Sequence, residues 1–360
     1  MKQKVLKALA FVLTLAMALS LAACSSSGGN SSGGNAGGNT AAVENPNLDD
    51  GVNRVGICWS SFAAEATQIL MENYEKHYAE YGIDEIIMLE AEGNLERQID
   101  QLQDLANQGC DIIICNSVDP DGIAPVVENI QAQGIPVIAV DRRISTDVYY
   151  TLETDNVCCG RDVARAIAQM TMYDEDGNLA AEGSVEVLKC VGNMTSSAVR
   201  DRFSGLNDEL QYWPHLKVVG EPSVESNIEK VYNAVLDGFK TNPNIKAIFV
   251  VGDNQVAPVV SALQELGMMY PPEDPRHVIV ASVDGISSVL KGIQAGENDI
   301  VANQRFDLFC TEALSVIQDY FNGDTSVQGT DDKLPTMIVT RHNVDYLQEN
   351  NYLWALPANG

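Results

Sequence analysis

The sequence has few histidines and none of the short motifs that usually carry an active site. Four histidines occur in 360 residues, and neither an HExxH pair, a GxSxG elbow nor a Walker A loop is present. These motifs place zinc ligands on a helix, expose a nucleophilic serine and cradle phosphates, respectively. Their absence favours a protein that is not an enzyme, although an α/β scaffold alone would be compatible with catalysis.

Basic residues are also scarce. The chain has 22 Lys and Arg against 50 Asp and Glu, which gives a formal net charge of −28 at pH 7. Binding to nucleic-acid phosphates requires a surplus of cationic side chains, so no nucleic-acid partner is expected.

The eight cysteines include no CxxC pair and no Cys/His grouping with the spacing of a zinc site. Seven of them follow Cys24, so at least one thiol has no partner within the chain. Cys58, Cys115 and Cys190 lie in or beside apolar runs, where a free cysteine behaves as a small hydrophobic residue. We therefore expect mostly buried thiols, no metal and no cofactor.

The N-terminus has the features of an export signal. Three lysines within the first seven residues precede an apolar run, 8–19, that is too short to cross a bilayer. The letters LAAC then end at Cys24 and resemble the lipobox of bacterial lipoproteins, in which the cysteine becomes the lipidated first residue. The sequence thus predicts a lipoprotein signal over 1–23 and a flexible Gly/Ser/Asn tether over 24–51. The protein is expected to be extracytoplasmic and anchored to the cell membrane at Cys24.

From residue 52 onward, short apolar runs alternate with segments of helical period. The runs that we interpret as strands are RVGICW, EIIMLEA, DIIICNS, IPVIAVD, SVEVLKC, KAIFVVGD, HVIVASVDG and DIVANQ. Strands this continuously apolar are buried on both faces, which is typical of parallel sheets covered by helices. About 300 residues are too many for one typical core. We therefore expect an α/β protein with two lobes.

Polar residues follow nearly every predicted strand. They are Ser60 and Ser61, Asn116, Ser117 and Asp119, Asp141 and Arg142, Asp253 and Asn254, Asp284, and Asn303 and Gln304. For any single Asp, Asn or Ser of this set, capping of the next helix is the better explanation. Arg142 does not fit it, because a cation at a helix N-terminus opposes the helix dipole. Acceptors and forked donors at the carboxyl ends of two sheets indicate a cleft for a ligand rich in hydroxyl groups.

Six segments occur in a specific order, AVDRRIS, TDNVCCGRDVARAIA, MTSSAVRDRFSGL, VVGDNQVAPVVSALQELG, SVDGISSVLKGIQAGE and VANQ. Together they resemble the type 1 periplasmic binding proteins for sugars, the ribose- and galactose-binding group that serves ABC importers. The resemblance extends from residue 52 to about residue 340. It implies two doubly wound parallel-sheet lobes joined by a three-strand hinge. The N-terminal lobe would comprise 52–154 and 305–336, and the C-terminal lobe 155–304 and 337–360.

The resemblance also implies a set of ligand contacts, which are Asp141, Arg142, Arg200, Asp253, Asp284 and Gln304, with Arg143 pointing outward. The loop CWSSFAAEATQ departs from the ribose-type pattern, which has asparagine and two phenylalanines there. Trp59 and Phe62 either supply an apolar face to the ligand or pack ordinarily in the core. Glu225 stands where such proteins place a further stacking aromatic. Three carboxylates against two guanidiniums would repel an anion in a closed cleft, so the expected ligand is a neutral monosaccharide.

The function implied is capture of that sugar between the lobes and its delivery to an ABC import permease, by a protein that we expect to be a monomer. A module that presents its ligand to a chemotaxis or kinase receptor is the alternative, and the sequence does not separate the two. A LacI-type repressor would need a DNA-binding module where this chain has a signal and a tether.

Asp174, Asp176 and Asn178 alternate as in the calcium loop of galactose-binding relatives, but the full loop spacing is not met, and a solvated turn is expected instead.

Overall fold

The computed structural model describes residues 44–48, 50–174 and 176–358. The predicted signal, Cys24 and most of the predicted tether lie outside these residues. The tether residues that are described contact the folded body. The Asn45 side chain donates a hydrogen bond to the carbonyl of Asp111 (2.6 Å), and the Asn47 side chain donates one to the carbonyl of Cys110 (2.8 Å).

Six strands form a first sheet in which every neighbouring pair is parallel. The strands are β1 (Arg54–Trp59), β2 (Glu85–Glu90), β3 (Ile112–Cys115), β4 (Val137–Val140), β5 (Tyr150–Thr154) and β11 (Thr330–Leu334), in the spatial order β11-β5-β4-β3-β1-β2. The central strands β3 and β4 are buried along their whole length, as expected for strands covered on both faces.

The second sheet repeats the same arrangement. Its strands are β6 (Val185–Cys190), β7 (Leu216–Gly220), β8 (Ile245–Val250), β9 (Ile279–Asp284), β10 (Ile300–Asn303) and β12 (Met337–Thr340), in the order β12-β10-β9-β8-β6-β7. Only β12 runs antiparallel to its neighbour β10 within this sheet.

Helices cover both faces of each sheet. The helices are α1 (Glu65–His77), α2 (Leu95–Asn107), α3 (Pro120–Ala132), α4 (Asn156–Met170), α5 (Ser197–Leu210), α6 (Ile228–Thr241), α7 (Val256–Glu265), α8 (Ser287–Ala295), α9 (Phe306–Phe321) and α10 (Val344–Glu349). Helices α1 and α9 enclose one core with the first sheet, and α2 and α3 enclose another. Helices α4 and α5 pack on one face of the second sheet, and α6, α7, α8 and α10 pack on the other. The predicted fold, two parallel-sheet α/β lobes, is confirmed.

The chain passes between the two sheets three times. We call the passage from β5 to α4 the first crossover and the passage from β10 to α9 the second crossover, and the third joins β11 to β12. Each passage begins at the carboxyl end of a strand, namely β5, β10 or β11. The crossovers therefore lie next to the strand ends where α/β sheets bind ligands.

Helices α4 and α5 touch through their backbones. A Cβ atom on Gly160 would lie 1.8 Å from the carbonyl oxygen of Arg202, and a Cβ on Gly205 would lie 1.8 Å from that of Val157. Only glycine allows this approach, because any side chain would force the helices apart. The start of α4, directly after the first crossover, is thus fixed against α5.

Four strands were not predicted from the sequence: β5, β7, β11 and β12. The letters TDDKL of β11 contain three charges, and its first four residues are exposed. Edge strand β7 is likewise mostly half-buried, so neither has the continuous apolar run of a central strand.

The cysteines agree with expectation, since all seven in the described part of the chain are free and six are buried.

Candidate functional site

The carboxyl ends of the two sheets face each other. The backbone N–H of Ser287, at the start of α8, donates to Oε2 of Glu65, at the start of α1 (3.3 Å). The charges of Arg202 and Asp284, from the second lobe, act on Asp141 in the first. Because Glu65, Asp141, Asp284 and Ser287 lie at strand-to-helix turns of both sheets and Arg202 lies on α5 beside them, these groups form one candidate interlobe site.

On the first-lobe side, a short chain of hydrogen bonds positions Asp141. The hydroxyl of Ser60 donates to Oδ1 of Asn116 (2.6 Å), and Nδ2 of Asn116 donates to Oδ2 of Asp141 (3.1 Å). Asp141 has a φ of 66°, in the left-handed region that is unfavourable for a residue with a Cβ. Burial raises the pKa of its carboxyl group, and the charges of Arg142 and Arg202 oppose this rise. A strained, half-buried carboxylate at a strand end is a feature of functional sites.

The two arginines after β4 have different environments. Arg142 is exposed and donates from Nη1 to the carbonyl of Ser117 (3.1 Å), which leaves most of its five donors available. Arg143 does not point freely outward as expected from the sequence. It is half-buried, makes a bidentate ion pair with the buried Glu153, and lies 4.0 Å from Asp201 of α5.

On the second-lobe side, Asp253 is buried and its carboxylate is already engaged by the protein. Oδ1 accepts from the hydroxyl of Ser282 (2.6 Å), and Oδ2 accepts from the backbone N–H groups of Gly285 (2.6 Å) and Ile286 (2.8 Å). Burial and the neighbouring charge of Asp284 raise its pKa well above the usual value. Asp253 therefore shapes the turn after β9, which carries Asp284.

Asp284 lies at the centre of the polar cluster. Its Oδ1 accepts from Nε2 of Gln304 (2.7 Å) and lies 3.3 Å from Nη1 of Arg202. Its φ of 124° is again unusual for a residue other than glycine. The side chain retains an exposed fraction of 28%, so it has room for a further partner.

Gln304, directly after β10, and Arg202, on α5, are both buried beside the crossovers. The Oε1 atom of Gln304 accepts from the hydroxyl of Thr154 (2.5 Å), at the end of β5. Arg202 donates from Nε to Oδ1 of Asn156 (2.8 Å) and from Nη1 to the carbonyl of Val251 (2.7 Å). The sequence reasoning missed Arg202, Asn156 and Thr154 as members of the site.

The remaining residues expected at the site bond to other groups or pack in or against the core. Arg200 is exposed and donates from Nη1 to the carbonyls of Met194 (3.0 Å) and Thr195 (2.8 Å). Trp59 is 2% exposed and belongs to the core under α1, so of its two interpretations core packing is the one observed. Phe62 is half-buried against the same core. Glu225 is exposed and forms an ion pair with Lys230.

Two further features bear on the class of protein. Within the described ranges, no group of three or more His, Cys, Asp or Glu side chains could hold a metal ion. Asp174 instead accepts hydrogen bonds at Oδ1 from the N–H groups of Asp176 (3.0 Å) and Asn178 (2.8 Å), as in a solvated turn. Among the residues that the structure describes, no helix is both long and apolar enough to span a membrane.

A family model described as a periplasmic binding protein domain matches residues 55–325. The chain is similar to a xylitol-binding protein of Mycolicibacterium smegmatis, with 24% identity over 279 residues, or 76% of this chain and 73% of that protein. It is also similar to a ribose import binding protein of Bacillus subtilis, with 26% identity over 255 residues, or 71% of this chain and 77% of that protein.

Solved structures share the fold. A myo-inositol binding protein of Caulobacter, bound to myo-inositol, superposes with a TM-score of 0.68 at 22% identity, covering 82% of this chain and 95% of that one. The binding protein component of an arabinose ABC transporter from Shewanella sp. ANA-3, bound to arabinofuranose, gives a TM-score of 0.70 at 20% identity, covering 85% of this chain and 99% of that one. At these identities the likeness concerns the architecture of two parallel-sheet lobes.

Proposed function

The chain belongs to the periplasmic binding protein family, and from this premise we propose that it captures a neutral monosaccharide between its two lobes and delivers it to an ABC import permease. The family consists of extracytoplasmic solute-binding proteins. Relatives named for xylitol binding and ribose import support a polyhydroxylated ligand and an importer partner. On this proposal the protein binds and releases its ligand without catalysing a reaction.

The observation that carries the proposal is the composition of the interlobe cluster. Asp141 and Asp284 offer carboxylate oxygens from opposite lobes, and Arg142 offers unused donors beside them. Carboxylates accept from hydroxyl groups and a guanidinium donates to hydroxyl or ring oxygens, so a neutral sugar satisfies both kinds of group. An anion would add charge next to several buried carboxylates, which costs free energy in a site of low dielectric constant.

We assign the ligand contacts according to how many hydrogen bonds each group already makes within the protein. Asp141, Arg142 and Asp284 are the principal contacts. Asp253 and Gln304 line the base of the site, where hydrogen bonds within the protein hold them. Arg200 and Phe62 lie at its rim, and Trp59 supports the first lobe from its core.

Ligand capture proceeds by a hinge motion of the lobes. We assign 52–154 and 305–336 to the N-terminal lobe, and 155–304 and 337–360 to the C-terminal lobe. The three passages between the sheets support this division, because they are the segments at which two rigid lobes would rotate. A ligand that contacts both lobes stabilises the closed form by its differential affinity for that form.

The N-terminal segment is the basis for the proposed location of the protein at the membrane. We propose that 1–23 is a lipoprotein signal and that Cys24 carries the lipid. We further propose that 24–51 is a tether, bonded to the binding body at Asn45 and Asn47, that leaves this monomeric body free to reach its permease. The run of lysines and apolar residues followed by LAAC supports the signal, and the Gly/Ser/Asn composition supports the tether.

Isothermal titration calorimetry tests the binding function directly. Ribose, xylose, allose and xylitol are titrated separately into the purified protein. We expect saturable binding of at least one of them, and Asp284→Asn should weaken that binding. If none of these compounds binds while an amino acid does, the proposed ligand class is wrong.

A further inference from the structure

The C-terminal tail, residues 350–357, is anchored to the second lobe. The backbone N–H of Tyr352 donates to the carbonyl of Leu347 in α10 (2.9 Å), and Nε2 of Gln348 donates to the carbonyl of Pro357 (3.1 Å). Three apolar side chains of the tail are buried in the core between the second sheet and helices α6, α7, α8 and α10, namely Leu353, Ala355 and Leu356. The tail therefore moves with the second lobe.

Trp354 extends from this tail to the first lobe. Its side chain packs against the second-lobe core and also against the core that α1 and α9 form with the first sheet. Its ring meets the ring of Phe306 edge to face, with centroids 5.2 Å apart and an interplanar angle of 75°. Phe306 is the first residue of α9, directly after the second crossover. Trp354 thus connects the two lobes beside a crossover by an apolar contact.

This contact depends on ring packing. The indole Nε1 of Trp354 is buried, and it has no hydrogen-bond partner within the ranges that the structure describes. An unpaired buried donor disfavours the conformation that buries it, whereas the ring contact favours that conformation. The two effects oppose each other, so the contact is weak enough to break when the lobes move apart.

We propose that Trp354 is a positioning residue for lobe closure. The tail moves with the second lobe and α9 with the first, so a rotation about the crossovers changes the distance between Trp354 and Phe306. The ring contact occurs in the same conformation as the bond from the N–H of Ser287 to Glu65, which joins the strand ends of the two lobes. It therefore favours this conformation over a more open one.

The consequence for binding is indirect. The apparent affinity for a ligand rises with the population of the conformation that binds it, so Trp354 acts on affinity through the lobes. This inference rests on the proposed function in one respect, since it takes the interlobe cleft as the ligand site. Trp354 is not among the proposed ligand contacts.

Two substitutions separate the ring from the indole N–H. Trp354→Ala removes the ring, and we expect it to weaken binding by about two- to tenfold, the range of an edge-to-face aromatic contact. The factor should be the same for every sugar that the protein binds, because the equilibrium between lobe positions is common to all of them. Trp354→Phe keeps a ring against Phe306 and removes only the unpaired donor, so its affinities should stay within about twofold of the wild type.

Trp213→Ala is the matched control. Trp213 is also half-buried and meets His215 edge to face, with centroids 6.1 Å apart, and its Nε1 donates to Glu209 (3.2 Å). All three residues belong to the second lobe. Trp213→Ala should lower the urea midpoint without changing affinity, which separates a loss of stability from a loss of closure.

The affinities are measured by calorimetric titration with ribose, xylose, allose and xylitol, and the lobe positions by electron–electron spin distances in the ligand-free protein. The spin labels are attached to Glu72→Cys in α1 and Lys291→Cys in α8, two exposed positions on helices whose first residues meet across the lobes. Cys24 and Cys158 are replaced by serine, since the other six cysteines of the described part are buried. We expect Trp354→Ala to shift the distances to longer values, and Trp354→Phe to leave them unchanged.

Each outcome decides for or against the proposal. Identical spin distances with and without Trp354→Ala would overturn it, and so would wild-type affinity in this variant. A loss of affinity for one sugar but not for another would make Trp354 a ligand contact and would overturn its positioning role. If the wild type binds none of the four compounds, the proposed function fails, and the spin distances still decide whether Trp354 holds the lobes together.

Discussion

The hydroxyl of Thr154, at the end of β5, donates a hydrogen bond of 2.5 Å to Oε1 of Gln304, directly after β10. Thr154 ends a strand of the first sheet and Gln304 follows a strand of the second, so this bond joins two of the three passages between the lobes. Gln304 also donates to Asp284, a proposed ligand contact. The hinge and the binding site therefore share a hydrogen-bonded residue.

Removing a principal contact should weaken ligand binding without unfolding the protein. Asp284→Ala and Arg142→Ala each remove a charged hydrogen-bonding group, and we expect a loss of about tenfold or more in affinity for any sugar that the wild type binds. Calorimetric titration measures the change. Asp237→Ala and Arg276→Ala are matched controls, since both residues are exposed on the second lobe; Asp237 forms a surface ion pair with Lys240, and Arg276 forms one with Asp274 and lies over the ring of Tyr270. Unchanged affinities in both site variants would place the ligand elsewhere.

The lipid anchor is tested by one substitution outside the described residues. Cys24→Ala removes the residue that would carry the lipid, and no other hydrophobic attachment is expected to hold the binding body at a membrane. In fractionated cells the variant should move from the membrane to the soluble extracytoplasmic fraction. Full retention with the membrane would contradict the lipoprotein assignment.

His277 makes stability depend on pH. Its Nδ1 lies 2.7 Å from the carbonyl of Tyr270 and its Nε2 lies 2.7 Å from Oδ1 of Asp299. Both partners are acceptors, so the doubly protonated ring satisfies both contacts. Burial opposes this charge, but the hydrogen bond and the charge of Asp299 outweigh it and raise the pKa of His277.

The sign of the effect follows from this raised pKa. The stabilisation is complete below the unfolded pKa of about 6.5 and is lost as the pH rises through the higher folded pKa. His277→Gln should therefore cost most below about pH 6.5, on the order of 1.5 to 3 kcal/mol, and less at higher pH. Urea unfolding at several pH values measures this, with the more exposed His77→Gln as the control. A difference that grows with pH would contradict the assignment.

The contact of α4 with α5 should tolerate no side chain. Gly160→Ala would bring a Cβ to 1.8 Å from a carbonyl oxygen, and we expect a loss of about 3 kcal/mol despite the better helix propensity of alanine. The comparison is Gly267→Ala, where the space is open but φ is +67°, for which we expect a loss of about 1 kcal/mol. The denaturant midpoints of the two variants and of the wild type measure both losses of stability. Equal losses in the two variants would mean that the helices separate easily.

Most of the fold could be predicted from the sequence because the central strands are uninterrupted apolar runs. The predicted segment RVGICW coincides with β1, and Asn94, of a residue type that favours helix N-caps, caps α2 by accepting from the N–H of Arg97. Edge strands carry charges and are exposed on one side, so β11 has no such signature. Their places depend on pairing with distant segments, which a local pattern does not contain.

The candidate site was predicted less completely, and the arginines of α5 show why. The resemblance indicated Arg200, whereas the structure brings Arg202 into the polar cluster. The buried residues Val199, Arg202, Phe203 and Leu206 follow helical spacing, which places Arg202 on the inward face and Arg200 on the outward one. The helical spacing of α5 would therefore have identified Arg202 as the inward-facing arginine from the sequence alone. The bonds from Thr154 and Asn156 to distant partners had no such local signal, because crossovers bring together residues far apart in the chain.

Thermal unfolding of the purified protein in the presence of single compounds shows whether the cleft binds a neutral sugar. The compounds are ribose, xylose, allose, xylitol and myo-inositol on one side, and a hexuronate, a sugar phosphate and an amino acid on the other. A ligand at 100 times its dissociation constant adds about 2.7 kcal/mol to the free energy of unfolding, a readily measured shift. We expect stabilisation by at least one neutral compound and by none of the charged ones. Stabilisation by a charged compound, with no effect of any neutral one at millimolar concentration, would contradict it.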